Sequence, residues 1–241
     1  MGPGLTTQDI RTDARELKFT VESNRAAFMR DWARAHLTAD PHGSGSHGDE
    51  YRTSSLYFDT DRLDVFHRRR SFGRSKYRIR RYGTSDVVFL ERKMRTKELL
   101  SKRRTIVGLD ELPLVVAPET DRGWTGRWFR RRLDARRLQV KAQVWYHRTA
   151  RVGVTPYGTF RLTIDDQIEA APATDLTFSA SGGVEVLSRE VIVELKFRHE
   201  MPALFRRFVE EFSLAPRTIS KYRIAMAALG EGEESVVTSH A

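Results

Sequence analysis

The sequence predicts an α+β domain built from strands and amphipathic helices. Hydrophobic residues make up 39% of the 241 residues and aromatic residues 10%, which is enough to bury a substantial core. Several short segments alternate charged and apolar side chains with the period of a strand, and longer ones have apolar residues at helical spacing. Because no Pro/Gly/Ser-rich linker separates them, we expect one domain over 14–229, with flexible tails at 1–13 and 230–241.

The strand pattern is clearest in the segment KYRIRRY. Lys76, Arg78 and Arg80 are spaced by two, so they share one face of a strand, while Tyr77 and Ile79 share the other. The same alternation predicts strands at 14–21, 51–60, 75–82, 86–96, 100–107, 138–150, 157–168 and 188–197, with a weaker one near 174–180.

Helical spacing of apolar residues predicts four helices, at 23–37, 122–136, 201–213 and 219–229. Ser23 is the expected N-cap of the first helix. The polar stretch after that helix contains GSGSHG, which matches the dinucleotide pattern GxGxxG. Since it follows a helix and precedes a strand, the reverse of the dinucleotide fingerprint, we interpret it as a loop.

Composition narrows the classes of function. The net charge of +10 and the pI near 10.1 favour a polyanionic partner, which can be nucleic acid, an anionic membrane surface or a phosphate-rich small molecule. The sequence has no cysteine, which excludes disulfides, thiolate metal sites and cysteine nucleophiles. No stretch approaches the ~20 apolar residues of a membrane helix, so we expect a cytoplasmic protein.

Two architectures fit strands that are charged on one face and apolar on the other. The charged faces form either the outside of an ordinary sheet or the lumen of a closed barrel whose apolar exterior is covered by helices. Only eight of the 42 basic residues are lysine, and five of these lie on charged strand faces: Lys18, Lys76, Lys93, Lys102 and Lys196. A lysine bias of this kind favours specific pockets, but it leaves both architectures open.

Three aspartates in FDTDRLD also have two interpretations. Asp59, Asp61 and Asp64 resemble a metal-binding cluster, but the end of a strand followed by a helix cap explains them more simply.

Taken in order, nine motifs resemble the triphosphate tunnel metalloenzyme superfamily, and specifically its VTC (polyphosphate polymerase) branch. They are ELKF (16–19), SSLYFDT (54–60), KYRIRRY (76–82), FLERK (89–93), SKRR (101–104), WYHRTA (145–150), FRLTIDD (160–166), VELKF (193–197) and SKY (220–222). The resemblance implies a closed antiparallel β-tunnel of about eight strands with a charged lumen, flanked by α-helices. It also implies that Tyr77 and Ile79 face the helical cover.

The assignment to the polymerase branch follows from the first motif, which differs from that of the related enzymes. Related CYTH hydrolases and adenylate cyclases begin with ExExK, whereas this chain has Ala14 in place of the first glutamate and retains Glu16 and Lys18. The polymerase branch needs only the ExK form. We therefore expect transfer of the γ-phosphate of ATP to a growing polyphosphate chain. A tripolyphosphatase or nucleoside triphosphatase, and a non-catalytic polyphosphate or inositol-phosphate binding module, remain alternatives.

The resemblance assigns roles to three sets of residues. The catalytic cations are Arg78, Arg80, Lys93, Arg148 and Arg161. The other phosphate-binding residues are Lys18, Lys76, Lys102, Arg104, Tyr146, Lys196, Ser220 and Lys221. The expected cofactor is Mn²⁺ or Mg²⁺, with Glu194 as the preferred ligand and with Glu91, Asp165 and Glu16 as further candidates.

The expected partners are ATP and polyphosphate, or another triphosphate. A separate membrane protein that exports the product is left open, and through it a peripheral position at a membrane. No nucleic acid is expected, because the cations alternate along strands without the exposed aromatic residues used for base stacking.

Overall fold

A computed structural model describes residues 8–12, 14–95, 100–118 and 122–231 of the chain. These residues form 11 strands: β1 (Gln8–Thr12), β2 (Ala14–Glu22), β3 (Thr38–Ala39), β4 (Glu50–Asp59), β5 (Ser75–Tyr82), β6 (Val87–Arg95), β7 (Leu100–Gly108), β8 (Gln139–Thr155), β9 (Gly158–Pro172), β10 (Val184–Glu185) and β11 (Glu190–Arg198). The same residues form four α-helices: α1 (Ser23–His36), α2 (Arg127–Arg136), α3 (Ala203–Glu211) and α4 (Lys221–Ala228). The predicted α+β class is confirmed.

All strands belong to one antiparallel sheet. Nine of them follow the order β1-β7-β6-β5-β4-β8-β9-β11-β2, while the short strands β10 and β3 pair with β9 and β8. Each step along this path reverses direction, so its two edge strands, β1 and β2, run the same way. A single residue separates β1 from β2 in sequence. Strand β1 pairs with β7, and strand β2 pairs with β11. The sheet must therefore curl until its two edge strands come close together.

The prediction of a closed tunnel of about eight strands is corrected by this topology. Among the described strands, no hydrogen-bonded ladder joins β1 to β2, so the curled sheet is not closed by pairing. The physical reason is that β1 and β2 follow each other along the chain and run the same way, so neither can fold back to pair with the other. The covalent chain itself joins the two edges.

Most element boundaries follow the sequence prediction, but strands β1, β3 and β10 were not predicted, and β8 and β9 extend beyond their predicted ends to Thr155 and Pro172. The weak strand predicted at 174–180 does not form. The second helix begins at Arg127, later than expected. Ser23 is the first helical residue and not the N-cap; Glu22 occupies the N-cap and makes no side-chain capping hydrogen bond.

The helices cover the apolar side of the sheet. Tyr77 and Ile79 are buried there, and the Tyr77 ring centroid lies 6.0 Å from that of Phe129 in α2. Helices α1 and α3 pack over β2, β9 and β11, with the rings of Trp32 and Phe208 4.9 Å apart. The expectation that Tyr77 and Ile79 face the helical cover is confirmed.

Asp59 organises the end of β4. Its carboxylate is fully buried and accepts hydrogen bonds from the backbone N–H groups of Thr60, Val65 and Phe66 at 2.7, 2.8 and 2.9 Å. It also accepts one from the Tyr222 hydroxyl of α4 at 2.7 Å. The aspartates of FDTDRLD therefore lie at the end of β4 and in the turn after it. The predicted strand end is confirmed, but no α-helix forms in the described residues between β4 and β5, so the predicted helix cap is wrong.

None of the four helices in the described part of the chain is long and apolar enough to cross a lipid bilayer.

Replacing Tyr222 by phenylalanine should lower the free energy of unfolding by about 1–2 kcal/mol, because it removes one partner of a buried carboxylate. Urea denaturation measures this difference. The control is Tyr157→Phe, since that side chain is 70% exposed and should be neutral. Equal stability of the two variants would contradict the anchoring role of Asp59.

Candidate functional site

The charged side chains of the strands lie on the side opposite the helices, and we call this set the polar face. Its cations are Lys18, Lys76, Arg78, Arg80, Lys93, Lys102, Arg104, Arg148, Arg161 and Lys196, joined by Lys221 from α4, and its carboxylates are Glu16, Glu91, Asp165 and Glu194. Eleven cations against four carboxylates leave an excess of seven positive charges. Lys93 of β6 lies 2.6 Å from Glu16 of β2, although these strands are not neighbours in the sheet. The curl therefore brings distant parts of the set together.

Glu91 holds the first cluster of cations. The Nε atoms of Arg78 and Arg104 and the Nζ of Lys102 each lie 2.7 Å from a Glu91 oxygen. The strand register explains this, since Arg78 and Arg104 lie directly opposite Glu91 on the two neighbouring strands. Burial opposes ionisation, but Arg78 and Lys102 outweigh it and hold the pKa of Glu91 well below its ordinary value.

Asp165 holds the second cluster. It accepts two hydrogen bonds from Arg148, at 2.6 and 2.8 Å, and its Oδ2 lies 2.6 Å from the Nζ of Lys221. All three residues are buried, and the Tyr146 ring lies beneath both cations. Burial raises the pKa of Asp165, but the two cations outweigh it and lower the pKa below its ordinary value. Helix α4 is thereby tied to the sheet.

Glu16 and Glu194 form the third cluster, on β2 and β11. The Nζ of Lys18 lies 2.8 Å from Glu16 and 3.4 Å from Glu194, so both carboxylates are adjacent to one ammonium group. Burial opposes ionisation of Glu194, but Lys18 and Lys221 keep its pKa well below the ordinary value. Two ionised carboxylates side by side suit a hard cation that takes its remaining ligands from phosphate and water.

The four predicted metal ligands do not come together. Glu91 and Asp165 are buried in separate clusters, whereas Glu16 and Glu194 are neighbours that keep 14 and 20% of their side-chain surface, although Lys18 and Lys93 contact Glu16. Within the residues that the structure describes, no three His, Asp or Glu side chains are placed to share one ion. The fit to a divalent cation therefore depends on Glu16 and Glu194.

Tyrosine hydroxyls hold four arginines, and three of these tyrosines were missed at the level of sequence. Arg78 donates to Tyr57 at 3.3 Å, Arg80 to Tyr146 at 3.0 Å, Arg104 to Tyr82 at 2.9 Å, and Arg161 to Tyr51. A signal was present, because Tyr82 continues the row of alternating cations in KYRIRRY. A hydroxyl fixes the direction of a guanidinium without adding a carboxylate. Arg78, Arg104 and Arg161 also form ion pairs with Glu91 or Asp40, so among the described residues Arg80 alone of the four has no carboxylate partner.

Arg161, Lys76 and Lys196 lie away from the two buried clusters. Arg161 contacts Asp40 at 3.0 Å, a partner that the sequence did not suggest. Lys76 Nζ lies 2.5 Å from Ser220 Oγ, at the start of α4. Lys196 lies opposite Glu16 in the ladder of β11 and β2. All the predicted site residues are thus on the polar face or on the first turn of α4.

Several pKa values respond to the positive excess. Burial lowers the pKa of Lys76 to about 8, with Lys18 and Lys93 adding to the shift, and that of Lys102 also falls to about 8. Burial disfavours the ionised form of Tyr82, but Arg80 and Arg104 outweigh it and lower its pKa to about 7. Burial and neighbouring cations thus lower the pKa of Lys76 and Lys102, whereas Glu194 and Glu16 outweigh the burial of Lys18 and raise its pKa.

A separate hollow of about 250 Å³ lies beside the start of α1. Ser23, Arg30, Asp166 and Glu185 line it, and none of the predicted site residues does. It is not part of the polar face.

The VTC domain family matches residues 13–230. This chain belongs to the VTC domain family. The resemblance drawn from the nine motifs is therefore confirmed. No curated protein matches the VTC domain described here.

Several solved structures are similar to this VTC domain. One is the crystal structure of a Bacillus halodurans protein described as a candidate adenylate cyclase, with a TM-score of 0.51, 15% identity and coverage of 87% of this chain and 96% of that one. Another is a Hippeastrum protein described as a candidate adenylyl cyclase with a dominant triphosphatase activity, with a TM-score of 0.47, 14% identity and coverage of 90% and 96%. At such low identity, the Bacillus halodurans match indicates the fold alone.

Tyr82 should ionise with a midpoint near pH 7, because two guanidinium groups favour its phenolate. The near-ultraviolet absorbance of tyrosinate, followed against pH, measures this. Tyr82→Phe should remove the step of lowest pH, whereas Tyr157→Phe should leave it unchanged. A titration with no tyrosinate below about pH 9 would contradict the positive excess around Tyr82.

Proposed function

We propose that this VTC domain binds a linear phosphate chain on its polar face and transfers the γ-phosphate of ATP to that chain. The observation that carries the proposal is the positive excess of the polar face, where eleven cations meet four carboxylates and the Asp40 that contacts Arg161. A polyanion with closely spaced charges complements such a surface. Membership of the VTC domain family supports the same substrate class.

The cations divide into three groups by exposure. Lys93, Arg161 and Lys102 retain 43, 33 and 31% of their side-chain surface, and we propose that they contact phosphate oxygens directly. Arg80 and Arg148 are buried and bonded to Tyr146 and Asp165, so we propose that they act through the positive field and by fixing their neighbours. The exposed Lys196, together with Arg78, Lys18, Lys76 and Arg104 of intermediate exposure, completes the proposed binding surface.

In the proposed reaction, the terminal phosphate of the growing chain is the nucleophile. One of its oxygens forms a bond to the γ-phosphorus of ATP, the bond from that phosphorus to the β–γ bridging oxygen breaks, and ADP leaves with the electron pair. No side-chain base is needed, because a phosphate oxyanion already carries negative charge. Arg78, Lys93 and Arg161 would align the phosphates and stabilise the charge that develops on the leaving oxygen.

Glu16 and Glu194 are the proposed ligands of Mn²⁺ or Mg²⁺. Such an ion would neutralise charge on the phosphate oxygens. Lys18, which contacts both carboxylates, would orient them and balance their charge when the ion is absent. A cytoplasmic location and a separate membrane partner remain predictions from the sequence.

The sequence also favours transfer to a chain over hydrolysis. Residue 14 is alanine, so the first glutamate of the ExExK pattern found in the related hydrolases is missing. One fewer carboxylate leaves the polar face more positive, which suits a longer anion than a triphosphate.

Incubation of the purified chain with ATP and Mn²⁺ should yield ADP and polyphosphate, resolved together on one gel. Arg161→Ala should lower kcat/KM by about a hundredfold, because it removes a guanidinium placed where phosphate charge develops. The matched control is Arg52→Ala, since Arg52 lies on the opposite side of β4 and donates to the Ala180 carbonyl at 2.5 Å.

Orthophosphate release without chains would overturn the proposed transfer and indicate a hydrolase. Binding of polyphosphate without turnover would indicate a binding module. Full activity of Arg161→Ala, with a folded state verified by circular dichroism, would remove Arg161 from the proposed site.

Replacing Glu194 by glutamine should weaken the binding of Mn²⁺ in the presence of tripolyphosphate at least tenfold, because it removes one of two adjacent carboxylates. Titration calorimetry measures the affinity. Glu200→Gln is the control, as this exposed carboxylate lies beyond the end of β11. An unchanged Mn²⁺ affinity would exclude Glu194 as a ligand.

A further inference from the structure

The loop between β4 and β5 carries a second group of cations. Its last nine residues, FHRRRSFGR, contain four arginines and no carboxylate, and they lead directly into β5, where Lys76 begins the polar face. Arg68, Arg70 and Arg74 are exposed. The proposed function does not use them.

Two of these arginines have an unusual backbone. Arg68 and Arg70 have φ angles of 55° and 44°, in the left-handed region that residues with a Cβ seldom adopt. Gly73 packs so closely on Arg68 that a Cβ at Gly73 would lie 2.8 Å from the Arg68 carbonyl oxygen. The intervening Arg69 is bonded inside the loop, to the Arg62 carbonyl at 2.9 Å and to Asp64 at 3.4 Å. A compact loop thus maintains a strained arrangement that displays Arg68 and Arg70 at the surface.

These charges continue from the polar face. Arg223, on the first turn of α4, lies 5.8 Å above the Phe66 ring. The neighbouring Ser220 contacts Lys76. Burial lowers the pKa values of Lys76 and Arg223, and the charge of Arg68 adds to both shifts, as expected if its guanidinium lies near both groups. The cations of the arginine-rich loop and of the first turn of α4 therefore lie near Lys76.

Carboxylates do not balance the charge of these arginines. Among the described residues, no carboxylate forms an ion pair with Arg68, Arg70, Arg74 or Arg223, and the Nε of Arg223 is buried without a hydrogen-bond partner. Like charges held together at a strained loop indicate an anionic ligand. A membrane or a duplex would meet only the outer arginines, whereas a linear anion can follow the cations from Lys76 to the surface.

We propose that Arg68, Arg70, Arg74 and Arg223 form an outer track that binds the part of a linear polyphosphate extending beyond the polar face. The ligand class of the outer track rests on the proposed function. The outer track implies that a long phosphate chain leaves the polar face at the end where Lys76 lies.

The test compares the affinity for polyphosphate of about a hundred units with that for tripolyphosphate, measured by titration calorimetry. The variant Arg68→Asn/Arg70→Asn removes two charges, and asparagine tolerates the left-handed backbone. We expect affinity for the long chain to fall about five- to tenfold, while that for tripolyphosphate changes less than about twofold. The dependence of the long-chain affinity on salt should also weaken, by about two in log–log slope.

Two further variants serve as controls. Arg206→Asn/Arg207→Asn removes the same charge from the exposed side of α3 and should affect neither ligand. Arg68→Lys/Arg70→Lys keeps the charge and should retain most of the long-chain affinity, which separates charge from loop stability.

Unchanged long-chain affinity in the asparagine variant, or equal loss for both ligands, would overturn the outer track. A loss of binding to anionic vesicles or to a DNA duplex, with polyphosphate binding intact, would overturn it in favour of that other ligand. Because these measurements need no turnover, they are separate from the proposed function, which fails if the unaltered chain makes no polyphosphate from ATP.

Discussion

The polar face depends on two buried carboxylates, Glu91 and Asp165. Each neutralises cations that would otherwise repel one another, since two charges about 4 Å apart at an effective dielectric near 20 interact by about 4 kcal/mol. Glu91 links three neighbouring strands and Asp165 links the sheet to α4. The curled sheet can therefore concentrate positive charge and remain folded. The same ion pairs explain why these two carboxylates suit positioning better than metal binding.

A fully neutralised set of cations would attract no anion, so the charge must be only partly cancelled. Three cations share the single carboxylate of Glu91, and the hydroxyls of Tyr57, Tyr82, Tyr146 and Tyr51 orient guanidinium groups where a further carboxylate would cancel more of the charge. The lowered pKa values of Tyr57, about 8, and Tyr82, about 7, show how strongly the surrounding cations favour a negative charge there. A bound phosphate chain would supply that charge instead, and the tyrosines would then remain protonated.

Local pattern was sufficient to predict the strands and their charged rows, because alternation is a property of each strand by itself. In β5 it gave the correct bounds and the correct buried face. Contacts such as Lys93 with Glu16 depend instead on how far the sheet curls. That curl includes irregular register at Tyr57/Phe58 and Trp145/His147, which no local pattern reveals. The missing ladder between β1 and β2 was unpredictable for the same reason, as were the contacts of Arg161 with Asp40 and Tyr51.

Helix α4 joins the catalytic proposal to the outer track. Its first turn presents Ser220 to Lys76, Lys221 to Asp165 and Tyr222 to Asp59. Asp59 also binds the backbone of the turn that leads to the arginine-rich loop, so one buried carboxylate fixes both that loop and α4. The distance from Lys76 to the outer arginines is therefore set by the core. A phosphate chain leaving the polar face would meet cations whose backbone is already positioned, so the remaining entropic cost is the ordering of their exposed side chains.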